Sequence, residues 1–476
     1  MTALWTETEL TLALGAPSAP LAVPVDGVSI DTRTLEPGDL FFAIKGEASD
    51  GHDYVARAFE AGAAAAVIAR PRGAGLAAHE PTFAVDDTLL ALERLAKAAR
   101  ARARARIVAV TGSVGKTSAK EMLRVALGRF GPTHASAASY NNHWGVPLTL
   151  SRLPAGAAFA AIEIGMNHAG EITPLVAMAR PHLALVTTIA PVHIEHLGSL
   201  ERIADAKAEI FSGLEPQGLA VLNRDAPQFE RLAGAARARA ARVATFGADA
   251  VCDAQLLEIS AVDGGSRVRA RVFGRELDFV LGAPGLHMAE NALGVLLVCD
   301  GLGADVAAAA AALAGFAPQQ GRGARLTLTS ASGPFTVIDE SYNANPASMR
   351  AALALLGAVE PAAAGRRIAV IGDMLELGPD GANMHAALAP ELGRNGVDLL
   401  FGAGPLTRAL YDAAPPAMRA AWAERSSDIL PRLADALRGG DVVMVKGSNG
   451  SRMGPVVAAL RERFSSAERD VRKSRC

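Results

Sequence analysis

The chain has 476 residues, half of them hydrophobic and a fifth charged, a globular profile with material for about three domains. Lys+Arg number 47 against 49 Asp+Glu, a formal net charge of -2, which lacks the basic footprint of a nucleic-acid binder. Three dispersed cysteines exclude a disulfide framework or a Cys-x-x-Cys zinc site, and Gly, Pro or charge interrupts each apolar stretch before it could span a bilayer.

The opening MTALWTETEL carries acidic residues where a signal peptide carries positive charge, so a cytoplasmic location without membrane insertion is expected. Residues 1–82 read as a small mixed α/β N-terminal domain, with PGDLFFAIKG its clearest strand. Arg94, Lys97, Arg100, Arg102, Arg104 and Arg106 follow on an Ala-rich helix, whose solvated face they are expected to form.

Residues 83–317 read as a central P-loop-type domain with a parallel sheet. RIVAV (106–110), AAIEI (160–164), LALVTTI (183–189) and LAVLN (219–223) are continuous apolar runs, as strands buried on both faces require. Between about 240 and 282 apolar and polar residues alternate, which predicts a few antiparallel strands, and helical sequence resumes at HMAENALGVLLVCDGLG. GFAPQQGRGA (315–324) reads as a hinge. In the C-terminal unit, 318–476, FTVID (335–339), RIAVIG (367–372), VDLLFGAG (397–404) and DVVMVKG (441–447) each precede a helix, the signature of a Rossmann-like α/β domain.

The stretch IVAVTGSVGKTSAKEM (107–122) carries the chemistry. An apolar strand runs into Gly112-Ser113-Val114-Gly115-Lys116-Thr117-Ser118, and a helix begins near Lys116. Backbone N–H groups of such a turn and the helix N-terminus face phosphate oxygens. Lys116 would reach the β/γ-phosphates of ATP and the Thr117 hydroxyl would hold Mg²⁺. The longer Walker spacing would put a glycine at Val110, so this loop is a shorter one. Glu163 and His193 each follow a strand, where open α/β sheets place ligand-binding residues; beside Thr117 they could hold one or two divalent ions.

TGSVGKTS, NNHWGVPLTL (141–150), EIGMNHAGEI, HIEHLGS followed by DAKAEIFSGL, and HMAENAL (287–293) occur in an order that resembles the Mur ligases along essentially the whole chain. These are ATP-dependent amide-forming enzymes of peptidoglycan precursor synthesis, related to folylpolyglutamate synthase, and they use the short loop. Within the family, IDTRTLEPGDLFFAIKGEASDGHDYV (30–55), IDESYNANPASM (338–349), GDMLELG (372–378) and VKGSNGSRM (445–453) resemble the member that joins D-alanyl-D-alanine to UDP-N-acetylmuramoyl-tripeptide. The diamino-acid-adding member carries Asp-Asn-Pro-Arg, which this sequence lacks.

The resemblance implies site residues one by one. Thr117 and Glu163 hold the ion on the ATP phosphates, and His193 with Glu163 serves a second Mg²⁺, supported by Lys207 carrying a CO₂-derived carbamate. Asn291, one helical turn after His287, contacts adenine; Asp339 contacts ribose. A hinge arginine, Arg322 in preference to Arg325, reaches ATP phosphate. Thr32, Arg33, Lys45 and Gly46 resemble the UDP-binding part of the first domain. Asn141 and Asn142 contact the nucleotide-sugar substrate or order its loop, and Tyr342, Asn343 and Asn345 line the dipeptide site, with Asn345-Pro346 readable instead as a helix-starting turn. Lys446 and Ser448 touch dipeptide or phosphate. A monomer that closes around small-molecule substrates is expected. The competing readings are another ligase of the superfamily and a P-loop switch without amide chemistry.

Overall fold

The computed structural model describes residues 3–465 except 19, 48, 71–79, 138, 193, 240 and 363. Three sheets organise them. The first holds β1 (Gly27–Ser29), β2 (Asp39–Phe42), β3 (Ala65–Ala69) and β4 (Thr82–Val85), in that order and all parallel. Side chains alternate across it: Leu40 and Phe42 enter the core built around Trp5, while Phe41 and Ala43 enter a smaller cluster with Val55 and Ile68.

Nine strands form the second sheet: β5 (Arg106–Thr111), β6 (Thr133–Ala135), β7 (Phe159–Glu163), β8 (Leu183–Val186), β9 (Leu219–Asn223), β10 (Arg242–Gly247), β11 (Ala254–Val262), β12 (Gly265–Val272) and β13 (Arg275–Leu281). Their order is β13-β12-β11-β10-β9-β8-β5-β7-β6, antiparallel only from β11 to β13. Ile107 and Ala109 of β5 face one core and Val108 and Val110 the other, so both sides are covered and no polar alternation is possible. In β12, Val268, Ala270 and Val272 are buried while Arg267, Arg269 and Arg271 face water, which explains the alternating pattern of that stretch.

The third sheet holds β14 (Ala324–Ser330), β15 (Gly333–Glu340), β16 (Arg367–Gly372), β17 (Leu399–Ala403), β18 (Arg419–Ala423) and β19 (Val442–Lys446), in the order β14-β15-β19-β16-β17-β18. Only β14 runs antiparallel to its neighbour. Outside the first sheet, of which the sequence reading includes only β2, strands β6, β14 and β18 have no counterpart in that reading. ARLTLTS at β14 alternates with polar residues because it is an edge strand, and THA at β6 is too short to show a period.

The basic helix is a correction in part: Arg94, Lys97, Arg104 and Arg106 are exposed as expected, whereas Arg100 and Arg102 are not. Thr88–Arg102 packs Ala91, Leu92, Leu95 and Ala99 into the first sheet's core and Ala96 into that of the second. Arg100 is buried, its Nε donating to the Ala179 carbonyl at 2.8 Å and its Nη2 to that of Arg180 at 2.8 Å. Arg102 lies 3.4 Å over the Trp5 ring. A helix wedged between two units keeps one face for water, with Arg94 and Lys97 on it, and the two arginines off that face become cross-links.

At the start of β19, the buried Asp441 carboxylate accepts from Arg366 Nη2 at 2.7 Å and Nε at 3.1 Å, and from the Arg366 and Arg438 backbone N–H groups at 3.0 Å. Asp441→Ala leaves a guanidinium and two amides unpaired, and is expected to lower stability by about 3 kcal/mol, read as a lower urea midpoint. An unchanged midpoint would contradict the role of this clamp.

Candidate active site

The loop after β5 makes two turns that a side chain would obstruct. Gly112 and Gly115 have φ of +147° and +85°. A Cβ on Gly112 would overlap the Thr187 hydroxyl, and one on Gly115 would lie 2.6 Å from the Asn291 amide. The loop is pinned to the segment after β8: Ser113 Oγ donates to the Ala190 carbonyl and accepts from its N–H, both at 2.9 Å, and Thr187 Oγ1 donates to the Val114 carbonyl at 2.6 Å. The helix Lys116–Gly128 then begins at Gly115 with no side-chain cap. Its first N–H groups are left for a ligand. Lys116 Nζ folds back to the Gly112 carbonyl at 2.7 Å. Burial lowers its pKa, with the Glu163 carboxylate opposing the shift and Arg322 adding to it.

From the first turn of that helix a polar chain crosses the cleft. Thr117 Oγ1 donates to Glu163 Oε2 at 2.9 Å, and Asn141 Nδ2 donates to Glu163 Oε1 at 2.7 Å. Thr117 Oγ1 also lies 3.1 Å from Ser139 Oγ, which accepts from Arg322 Nη2 at 2.8 Å. The Arg322 guanidinium stands 4.1 Å over the Tyr342 ring. A hydroxyl and a carboxylate oxygen so close, beside an open helix N-terminus, are the hard oxygen donors that Mg²⁺ takes together with phosphate oxygens and water.

Lys207 ends the helix Leu200–Ala208 and is 1% exposed. No carboxylate of the described residues pairs with it. Burial, reinforced by the nearby Lys116 charge, holds its pKa well below the ordinary lysine value, so the amine is disposed to be neutral. His193 lies outside the described residues.

A cavity of about 420 Å³ joins Lys116, Thr117, Ser139, Asn141, Glu163 and Arg322; Lys207 is not among its lining residues. The loop from Ser113 to Ser118 forms its floor; His287, Glu290, Asn291 and Asn223 form one wall, and Arg322, Glu340, Tyr342, Asn343, Asn345 and Lys446 the other. Glu163, Asn223, Glu340 and Lys446 are all C-terminal residues of their strands, so two sheets present the same ends to one space. A second cavity, of about 940 Å³, lies beside it with Asn141, Asn142, Tyr342, Asn343, Asn345 and Ser448 in its lining.

Several expected residues are engaged elsewhere. Asp339 is buried inside the third unit, accepting from the Gly321 N–H at 2.8 Å and from the Ser341 hydroxyl at 2.6 Å and N–H at 3.1 Å. It therefore shapes the turn that carries Arg322 and is not among the residues lining the cavity, whereas its neighbour Glu340 is. Asn345 caps the helix Pro346–Gly357, accepting from the Ser348 N–H at 2.9 Å, so the turn reading holds while the residue still borders both cavities. Ser448 Oγ accepts from the Leu375 N–H at 3.0 Å and donates to the Ala344 carbonyl at 3.2 Å. Asn142 accepts from the Gly145 N–H at 2.9 Å, starting the helix Gly145–Ser151. Lys446 is buried, 3.2 Å from Glu340 Oε2. Thr32 and Arg33 follow β1 and Lys45 and Gly46 follow β2, at the same end of adjacent parallel strands. They border neither cavity, and Arg33 pairs with Asp31 at 2.6 Å.

Sequence reasoning missed Ser139, Glu290 and Glu340. Ser139 stands among the small residues of SAASYNN, with no local pattern to mark it; only the contact with Thr117 and Arg322 does.

Three family models match the chain: the Mur ligase family, catalytic domain, over residues 24–100; the Mur ligase middle domain over 110–299; and the Mur ligase, glutamate ligase domain, over 324–449. The chain is 36% identical over 443 residues to the UDP-N-acetylmuramoyl-tripeptide--D-alanyl-D-alanine ligase of Escherichia coli (strain K12), covering 92% of this chain and 94% of that protein. For the protein of the same name in Bacillus subtilis (strain 168), identity is 33% over 441 residues, 92% and 93% of the two chains. Among solved structures, MurF from Acinetobacter baumannii aligns with a TM-score of 0.81 and 28% identity, over 96% of this chain and 99% of that one. The MurF ligase of Thermotoga maritima in complex with ADP shares the fold at a TM-score of 0.74 and 24% identity, over 93% and 98%.

Gly115→Ala places a methyl group against Asn291 at a positive φ, a strain of about 1–2 kcal/mol. The variant is expected to bind ADP at least about tenfold more weakly by calorimetry. Equal affinity would show that the loop has more room than its geometry indicates.

Proposed function

Because this chain belongs to the Mur ligase family, we propose that its cleft joins D-alanyl-D-alanine to UDP-N-acetylmuramoyl-tripeptide, with ATP converted to ADP and phosphate. The observation that carries this reading is the polar chain from the uncapped phosphate loop through Thr117, Glu163 and Asn141, faced across the cleft by Arg322. The similarity to D-alanyl-D-alanine ligases over more than nine-tenths of the chain supports the choice of substrates. No described helix is long and apolar enough to cross a membrane; a cytoplasmic monomer acting on small-molecule substrates is part of this reading.

A carboxylate is a poor acyl donor because its leaving group would be oxide. Transfer of the γ-phosphoryl group to that oxygen gives an acyl-phosphate; the dipeptide amine then attacks the carbonyl carbon, and phosphate leaves from the tetrahedral intermediate. The protein must position three substrates and balance phosphoryl charge, without a covalent nucleophile of its own. Lys116 turns from the Gly112 carbonyl to the β/γ-phosphates, and the open N–H groups of its helix face the same oxygens. Arg322 exchanges Ser139 for phosphate as the third unit closes, which excludes water from a hydrolysable intermediate.

Thr117 and Glu163 would hold one Mg²⁺, and Glu163, His193 and Lys207 a second; bound there, the ions would neutralise phosphoryl charge. A neutral buried amine adds CO₂ and loses a proton to become a carbamate, turning Lys207 into an anion; its burial without a carboxylate partner supports this. Residues 1–82 hold the UDP end of the substrate through Thr32, Arg33, Lys45 and Gly46, whose loops meet at one end of the first sheet. Asn141 and Asn142 contact the nucleotide-sugar substrate or order the loop beside it, as their bonds to Glu163 and the Gly145 N–H support. Asn291 meets the adenine; Tyr342, Asn343 and Lys446 border the dipeptide.

Phosphate release from ATP is expected to require both UDP-N-acetylmuramoyl-tripeptide and D-alanyl-D-alanine, with a pentapeptide product by mass spectrometry. Release indifferent to the dipeptide would refute this step, and substitution of glutamate or diaminopimelate for it would identify another. Lys207→Ala should lower kcat by about a hundredfold or more, and only the wild-type rate should rise with bicarbonate. Full activity of the variant in bicarbonate-depleted buffer would remove the carbamate.

A further inference from the structure

The phosphate loop fixes one end of a bound nucleotide, and the cavity continues from it along the first turn of the helix Leu286–Gly301. Gly115 backs directly onto the Asn291 amide, so this turn adjoins the phosphate loop, and on the reading that Asn291 meets the adenine the base lies along it. Glu290 lies there next to Asn291 and lines the same cavity; it falls inside HMAENAL (287–293), where the resemblance singles out only His287 and Asn291. Its carboxyl is partly buried, and no hydrogen-bond donor of the described residues reaches it. A carboxyl held at the base end of a purine site without a protein partner is a group awaiting a ligand.

We propose that Glu290 reads the adenine base as a neutral carboxylic acid, its carbonyl oxygen accepting from the exocyclic amine and its hydroxyl donating to the adjacent ring nitrogen. Adenine presents a donor and an acceptor side by side, and a protonated carboxyl presents the complementary pair. The inference rests on the reading that ATP occupies this cleft, and it adds a specificity-determining residue to that site.

The surroundings favour the protonated form. Burial, with the Asp225 carboxylate in the loop after β9 as a second cause, pushes the Glu290 pKa up to about 7. On its own helix His287 is held toward its neutral form by burial. The adjoining cavity that Glu290 also borders carries Arg325 from β14, Arg350 from the helix Pro346–Gly357, Asp263 from the β11–β12 turn, and Glu360 and Glu391. Across the first cavity stand Lys116, Glu163, Arg322, Glu340 and Lys446. Because the pKa is raised, the acid predominates below about pH 7 and is lost as pH rises through it. The carboxylate can still accept from the amine, but it turns a negative charge toward the ring nitrogen's lone pair.

The test compares ADP with the diphosphate of the purine analogue lacking the six-amino group, by calorimetry, for wild type, Glu290→Gln and Glu290→Ala. Glutamine keeps the donor–acceptor edge without titrating, so wild type and Glu290→Gln should bind ADP equally near about pH 6, with wild type up to about tenfold weaker near pH 8. Phosphate ionisation is common to both proteins and cancels in the ratio. Glu290→Ala should lose most of the preference for ADP over the analogue, about tenfold. A wild-type to Glu290→Gln ratio that is flat with pH, together with an undiminished preference in Glu290→Ala, would overturn the proposal while leaving ATP in the cleft. Failure of the wild-type protein to bind ADP at all would instead overturn the functional reading, and this inference with it.

Discussion

The helix Lys116–Gly128 starts at a residue that cannot cap it, and the first N–H groups of its backbone have no partner among the described residues. Unsatisfied donors at a buried helix end are costly, typically about 1–3 kcal/mol each when no partner arrives, so the surroundings must hold this end open without collapsing onto it. Gly112 and Gly115 supply the backbone turns, while Ser113 and Thr187 tie the loop to the segment after β8. Asn291 closes the remaining side so tightly that no Cβ fits at Gly115. An anion at this end would satisfy donors that the fold leaves free.

The rest of the architecture aims groups at that opening. Strand β5 lies between β8 and β7, so the loop is flanked by Thr187 on one side and Glu163 on the other. The third sheet brings Glu340 and Lys446 from its own strand ends to the same cavity. What links the two units here is slight: one charge-assisted bond from Arg322 to Ser139, worth about 1.5–3 kcal/mol. A contact of that size holds a cleft in register and can still be exchanged for a phosphate. The Asp339 carboxylate, which does not line the cavity, fixes the turn that carries Arg322, so a residue outside the cavity lining sets where the crossing arginine stands.

Charge burial follows the same logic. Asp441 has four donors and serves stability. Lys207 and Glu290 are held in low-polarity surroundings with no such pairing, and each shifts toward its neutral form for that reason. Of the two, only Lys207 stood out in the sequence, and it did so through resemblance: in DAKAEIF it is as consistent with a surface lysine beside Asp205 and Glu209.

What the sequence by itself determined is local. The glycine turn before Lys116 and Thr117, the doubly apolar strands of the central sheet and the alternation in β12 depend on neighbours along the chain, because backbone geometry and side-chain period are set within a few residues. The order of motifs was enough to indicate the family. Tertiary structure alone decided which polar groups are engaged. Arg100 became a buried cross-link rather than part of a solvated face, Asn345 a helix cap, Asp339 an internal brace and Ser139 the meeting point of Thr117 and Arg322. Hydrogen bonds between residues up to 183 positions apart leave no period or spacing in the chain, and burial, which shifts the Lys207 and Glu290 protons, is a property of what packs around a residue rather than of its neighbours in sequence.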